Sequence, residues 1–476
     1  MIVDDGRTVH EVRDCDGRRY RTGEDPRDLL GRPRGSVLAA SAVAMAAVGV
    51  MQYGFGAVAP ALMAARGWGL EGTFWLLAGW IVFQAGAGFP VATLHGRRAV
   101  RPRSLMVAAA LLCGLGLVGL GAGGPLGAVA YTVLGGSGAG IVYATCSSVV
   151  AAWYPERAPQ RVSLVTGAFA LGSLPVVVAA LVALDPGALT PALVGAGLVV
   201  LVVVAAAGVL LADPPPHWWP ADVDPRRWAL RRGPSRLQNP ASGRSYTPRQ
   251  ALRTRALLLV AVVLAAAVAV SLLDAAFLVV LALGLGAGPG PVVLAAALLV
   301  GFAGGGRSVA VTVGDRVGAV RTISAVLLVQ AVAQAVLAMA AASGSVGLVV
   351  AGGALAGAGG GAFYPLFAGL TREFFGRDSA VEVHAVVYSA KAVGGVLGVG
   401  LAATVVTQWG FAAAFGLAVA VSAAAALGAR AFTRPGLPRT LPGPVARVVA
   451  GAPGQRAFSN SSASGASTPS SSAAAR

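Results

Sequence analysis

Twelve apolar runs divide the chain, at 37–63, 72–94, 104–124, 127–152, 162–184, 188–212, 256–283, 291–313, 322–342, 346–370, 383–406 and 411–430. Each is long enough for a helix rising about 1.5 Å per residue to cross a hydrocarbon layer about 30 Å thick. That layer offers the backbone no water, so a spanning segment must satisfy its own N–H and C=O groups, as a helix does. The pattern predicts an all-α membrane protein with 12 transmembrane helices, in which the runs are spans 1 to 12.

The distribution of charge orients these spans. Of 36 basic residues, all but Lys391 are arginines, and the net charge is +17. With the N-terminus inside, Arg66 alone falls in an outer loop and Arg307 alone well inside a span, while every other arginine lies in a cytoplasmic segment or, as Arg430, at the inner end of a span. Such an excess marks the cytoplasmic side of membrane proteins. The basicity therefore reports topology, and a nucleic-acid partner is not expected. A chain 56% hydrophobic and 12% charged has the balance of a multi-pass integral protein, here expected in the plasma membrane, monomeric and surrounded by lipid. The three cysteines, Cys15, Cys113 and Cys146, are widely spaced and give neither a disulfide framework nor a metal site.

The domains read as a cytoplasmic N-terminal segment (1–35), a six-helix bundle (36–212), a cytoplasmic central loop (213–255), a second six-helix bundle (256–431) and a disordered cytoplasmic tail (432–476). The loop is rich in Pro, Arg and Trp, and Trp218, Trp219 and Trp228 are expected to lie along the inner membrane face. The halves echo one another. "GSGAGIVYATCSSVVAAWYPE" in span 4 matches "GAGGGAFYPLFAGLTREFFGR" in span 10, pairing Gly138 with Gly359, Gly140 with Gly361 and Tyr143 with Tyr364. Parallel repeats of six helices point to a two-bundle transporter whose site lies between the bundles near the bilayer midplane. The same glycines do not bind a dinucleotide, because no strand precedes them and no acidic residue follows at the required place. No cofactor is expected.

Three ionisable side chains lie well inside spans: Asp274 in span 7, Arg307 in span 8 and Lys391 in span 11. Each costs roughly 2.5–3.5 kcal/mol at a helix centre on insertion scales, so each calls for a reason. Counted from Asp315 and Glu382 at the inner ends of their spans, Arg307 and Lys391 sit at equal depth, about 12–14 Å from the inner surface. Two cations at one depth suit an anion: the arginine fork grips a carboxylate bidentately and the lysine acts as a point charge. Both could instead serve as structural ion-pair or snorkelling residues. Tyr53, Gln84, Tyr143, Phe169, Tyr364 and Tyr388 occur at similar depths and are candidate cavity residues.

The chain resembles the oxalate/formate antiporter family of the major facilitator superfamily over nearly its whole length. The likeness rests on "YGFGAVAPALMAARGW", "GGSGAGIVYATCSSVVAAWYPER", "PPPHWWP…YTPRQALRT", "GAGGGAFYPLFAGL" and "VVYSAKAVGGVLG". The resemblance implies that Arg307 and Lys391 clamp the two ends of a small carboxylate in an aromatic cavity formed by Tyr53, Gln84, Tyr143, Phe169, Tyr364 and Tyr388. It also implies a gating loop after span 8, where "GDRVGAVR" keeps Asp315 and Arg316. The matching loop after span 2, "ATLHGRRAVRPR", has Gly96 where the superfamily places an acid. Asp274 is a further departure, with two readings: a cavity-facing proton carrier, or a charge partner that limits the cost of burying Arg307.

The function expected is secondary active transport of small organic anions, oxalate- or formate-like, by antiport or with a proton. The alternatives are drug-type efflux within the same superfamily and a membrane sensor or scaffold that has lost transport. No catalytic constellation suggests an enzyme.

Overall fold

The computed structural model describes residues 2–4, 7–14, 17–96, 99–230, 245–376 and 379–436. Cys15, the stretch 231–244 of the central loop and the tail from 437 onward lie outside them. Eleven helices among the described residues are long and apolar enough to cross a membrane. We label them α1 (Gly35–Tyr53), α2 (Leu70–Gly96), α3 (Pro102–Ala122), α4 (Gly124–Trp153), α5 (Ala158–Ala183), α6 (Pro186–Val209), α7 (Arg255–Gly284), α8 (Pro289–Val317), α9 (Ala319–Ser343), α10 (Val346–Phe375) and α11 (Ala380–Arg430). Span 1 is longer than α1, because the chain turns at Gly54 and continues as a shorter helix, Phe55–Arg66.

Spans 11 and 12 are joined in α11, whose 51 residues run on without a loop. A straight helix of that length would measure about 77 Å, more than twice the thickness of a bilayer core. Gly410, at φ 78° and ψ 172°, breaks the helix where the sequence separates the two spans. Glycine reaches that conformation without the Cβ clash that other residues meet.

The internal repeat has a packing counterpart. A Cβ at Gly140 would run into the carbonyl oxygen of Gln84 on α2, and one at Gly361 into that of Ala303 on α8. Gly138 lies against Cys113 of α3, and Gly359 against Gln330 of α9. Each central helix thus rests its glycines on the helices two and one places before it, at the short separations that small residues allow in lipid.

The N-terminal segment departs from helix. Three strands, β1 (Ile2–Asp4), β2 (Arg7–Arg13) and β3 (Arg19–Thr22), form an antiparallel sheet in the order β1-β2-β3. The edge of β3 is covered by the start of the central loop: Arg21 N–H donates to the His217 carbonyl (2.8 Å) and Trp219 N–H donates back to Arg21 (2.9 Å). Tyr20 packs edge-on against Trp219 and donates to Asp14 at 2.8 Å. Burial, and then the Asp14 carboxylate, push its phenol above the ordinary pKa, so it stays a donor.

The tryptophans of this loop therefore do not lie along a lipid surface. Trp218 and Trp219 are 4% and 2% exposed. Trp218 packs on Trp153 at the end of α4, and Trp228 donates its indole N–H to the Glu156 carbonyl at 3.1 Å. An indole needs an apolar bed and one acceptor. For Trp228 the acceptor is the Glu156 carbonyl between α4 and α5, whereas Trp219 donates to the Val223 carbonyl of its own loop at 2.6 Å and Trp218 gains only the apolar bed of Trp153. Arg34, just before α1, donates to Glu156 at 2.9 Å and closes the assembly.

Candidate functional site

Arg307 is placed by a seam between α5 and α8. Gly304 on α8 lies against Gly167 and Leu171 of α5, and this close approach carries the guanidinium across the boundary between the two halves of the chain. There it donates to the Thr166 carbonyl and, at 3.2 Å, to the Tyr53 hydroxyl. At the arginine-rich end the seam is fastened by Gln160, whose amide donates to Asp315 at 3.0 Å. The neighbouring Arg316 is exposed.

Lys391 comes from the opposite side. The first part of α11 meets α2 along a second seam, where Gly395 seats Ile81 and Gly400 seats Trp75. The ammonium donates to Gln52 at 2.8 Å and to Tyr388 at 3.4 Å. It lies 5.8 Å from the Phe169 ring centroid, 5.9 Å from that of Tyr364 and 5.6 Å from that of Tyr388. Aromatic faces attract cations at these distances. The Arg307 guanidinium lies 5.0 Å from the same Tyr364 centroid.

All eight residues read as lining one cavity meet here. Tyr143 stacks on Tyr388 at 5.2 Å and stands edge-on to Phe169 at 5.7 Å; Tyr53 stands edge-on to Phe169 at 6.1 Å. Gln84 donates to the Tyr388 hydroxyl at 3.3 Å. Arg307 and Lys391 are each 2% exposed, and among the described residues neither forms an ion pair. Arg307 Nε, the Tyr364 hydroxyl and Gln84 Oε1 are buried without a hydrogen-bond partner. Buried polar atoms of this kind cost about 1–3 kcal/mol each until something pairs with them. The cluster thus holds two unpaired donors, one unpaired acceptor and two positive charges.

Beside this cluster lies a cavity of about 110 Å³ lined by Gln84, Tyr143, Thr166, Tyr364, Tyr388 and His384 among others; Arg307 and Lys391 sit behind Tyr364 and Tyr388, outside its lining. Through Ala92, Ser148 and Val381 it adjoins a wider vestibule of about 480 Å³ at the arginine-rich ends of α2, α4 and α11. On the opposite side the halves are closed. Phe74 of α2 meets Phe277 of α7 with ring centroids 4.3 Å apart, and Phe55 backs Phe74 at 6.0 Å. The α2–α11 seam thus parts beyond Gln84 and Tyr388, and the structure is open toward the arginine-rich side.

Asp274 is not part of this cluster. It is fully buried, and its carboxylate accepts from Gln330 at 3.1 Å and Gln334 at 2.8 and 3.0 Å, both on α9. It neither lines the described cavities nor pairs with Arg307, because its face of α7 points into the second half of the chain. At the end of α2, where Gly96 replaces the expected acid, a carboxylate arrives from elsewhere: His95 donates to Asp213, just after α6, at 2.8 and 2.9 Å.

Sequence reasoning missed Gln52, Thr166 and His384. Gln52, like Gln84, is a lone amide in an apolar run, and that isolation is the signal that could have found it. Thr166 acts through its backbone carbonyl, which no side-chain pattern reveals. His384 lies one turn before Tyr388 on the face that carries Lys391.

Comparison with known proteins places this geometry in a family. A 38 kDa uncharacterized protein from the 23S RNA operon of Thermoproteus tenax is 30% identical over 418 residues, covering 86% of this chain and 98% of that one. A POT family transporter solved with 5-aminolevulinic acid shares the fold at a TM-score of 0.61 and 13% identity, covering 85% of this chain and 96% of its own. A D-xylose–proton symporter does so at 0.60 and 15%, covering 84% and 98%. The family model of the Major Facilitator Superfamily matches residues 41–312 and 306–466, so a multi-pass integral membrane protein with this fold is what the sequence encodes, and the chain belongs to that superfamily.

Proposed function

We propose that the protein is a secondary transporter of small organic anions, mono- or dicarboxylates of the oxalate/formate kind. It would work by alternating access between two six-helix bundles of a twelve-span chain with both termini cytoplasmic. The observation that carries this reading is the pair of buried cations, Arg307 and Lys391, flanking Tyr364 with no carboxylate paired to either among the described residues. A carboxylate between them would take the free Arg307 Nε–H and the Tyr364 hydroxyl and neutralise charge that is otherwise held apart from water. The Gly410 break supports the twelfth span, and the arginine-rich loops support the orientation.

Exchange is the mode we favour. With the site empty, two like charges stay buried side by side, each only 2% exposed, whereas a bound anion offsets them. The loaded carrier therefore reorients more readily than the empty one, which is the condition for antiport. We further read the protein as a monomer in the lipid of the cell membrane, with no nucleic-acid partner.

The test is counterflow of labelled oxalate, formate and related carboxylates into proteoliposomes, comparing the wild type with Lys391→Gln and Arg307→Gln. The expected result is substrate-specific exchange that both substitutions abolish. Binding without flux would favour a sensor, and uptake of amphipathic cations instead of carboxylates would favour drug efflux.

A further inference from the structure

The cavity holds polar groups that the Arg307–Lys391 pair does not use. His384 sits four residues before Tyr388 and seven before Lys391, so the three share one face of α11. Its ring lies 6.1 Å from that of Tyr388, and its Nδ1 is buried with no hydrogen-bond partner. Across the same cavity, Ser147 of α4 also has a buried and unpaired hydroxyl. Both lie on the vestibule side of Tyr388. An anion passing between the vestibule and the cationic pair must cross them.

We propose that His384 and Ser147 form a second anion subsite, occupied by a small carboxylate entering from or leaving to the arginine-rich side. The proposal rests on the anion-transport reading and adds a step to it. A carboxylate beside an imidazole favours the charged imidazolium, so the subsite takes up an anion and a proton together. The Ser147 hydroxyl donates to the second carboxylate oxygen. The proton returns to solvent when the anion moves on to Lys391 or out to the vestibule, so no covalent step is involved.

The titratable and charged surroundings leave this role to His384. Facing the cavity are Tyr143, Tyr364 and Tyr388, all phenols. Glu382 lines the adjoining vestibule with His95, Asp213 and His217. The other elements packed on this end of α11 carry Arg249 and Arg255, both exposed, Arg372 and Glu373 of α10, both half-buried, and Asp274 of α7, which is held by the α9 amides.

The experiment uses the full-length protein in proteoliposomes whose arginine-rich face is addressed by varying the pH on that side. Labelled oxalate and formate are the probes, and wild type is compared with His384→Gln and Ser147→Ala. Thermal shift with the same anions in detergent at pH 5.5 and 7.5 provides a second readout, and size-exclusion profiles confirm folding. In the wild type, half-saturating anion at that face should fall about tenfold between pH 7.5 and 5.5, the order expected for linked uptake of one proton by a histidine. In His384→Gln the ratio between the two pH values should collapse to about one, and Ser147→Ala should weaken binding at both. An unchanged pH ratio in His384→Gln, with flux intact, overturns the subsite and leaves the transport reading standing. Failure of every carboxylate to exchange or to shift the melting temperature overturns both.

Discussion

Arg307 and Lys391, 84 positions apart in sequence, lie 5.0 and 5.9 Å from the centroid of one ring, that of Tyr364. The ring's negative face partly offsets two charges that would otherwise repel each other in a medium of low dielectric. Each cation keeps neutral partners from the first half of the chain: Thr166 and Tyr53 for the arginine, Gln52 for the lysine.

Transport and stability should therefore respond in opposite directions at Lys391. Lys391→Met removes a buried charge and its repulsion from Arg307 while retaining an unbranched side chain. It should abolish exchange and raise the melting temperature of the unliganded protein by a few degrees, an increment of about 1–2 kcal/mol. Counterflow and a thermal melt of the same preparation check both directions.

Arg307→Lys keeps the charge and loses the planar fork. A lysine there can reach Tyr53 or a carboxylate oxygen, but not two oxygens in parallel. Apparent affinity should drop by about 10- to 100-fold, the equivalent of one charge-assisted hydrogen bond. Competition by unlabelled carboxylate measures it.

Asp274 should behave as a structural acid. Asp274→Asn retains a side-chain oxygen for one of the α9 amides, so exchange and its pH profile should persist. Asp274→Leu leaves the amides of Gln330 and Gln334 unpaired, at about 1–3 kcal/mol each, and should reduce the yield of folded protein. A changed pH profile in Asp274→Asn would return this residue to the transport cycle.

Cysteine pairs should report which side is closed. In a background lacking the native cysteines, Ile81→Cys with Gly395→Cys bridges the closed part of the α2–α11 seam and should cross-link readily without substrate. Gly88→Cys with Ala385→Cys flanks the open cavity and should cross-link slowly, then faster once the carrier turns over. Gel mobility after mild oxidation distinguishes the pairs.

Much of this was legible in the sequence, and the reasons differ from residue to residue. The helices follow from run length, and the cluster could be assembled because charge and hydroxyls stand out against alanine and valine. Depth along a helix can be counted, so the sequence alone sets Arg307 and Lys391 at one level. Rotation about the helix axis cannot be counted when nothing marks a polar face. The α7 helix is apolar nearly all round, so its sequence does not say whether Asp274 points to the cavity or to α9. The tryptophans of the central loop were misplaced for another reason: their indoles suit a lipid interface and a protein groove equally, and only the tertiary fold supplies Trp153, Tyr20 and the Glu156 carbonyl.

The pairing of Arg21 with His217 and Trp219 has a mechanical consequence. The chain leaves α6 and is buckled at once to its own beginning, so the covalent link between the two halves is fastened to the first half up to Trp219. A polypeptide cut within 231–244 would leave a first fragment that carries its strap, fastened at both ends, and a second that begins just before α7. Two such pieces, made separately in one cell, should find each other and work as a carrier, whereas a cut between Thr22 and Gly35 would undo the buckle and leave the leading sheet without a covalent hold.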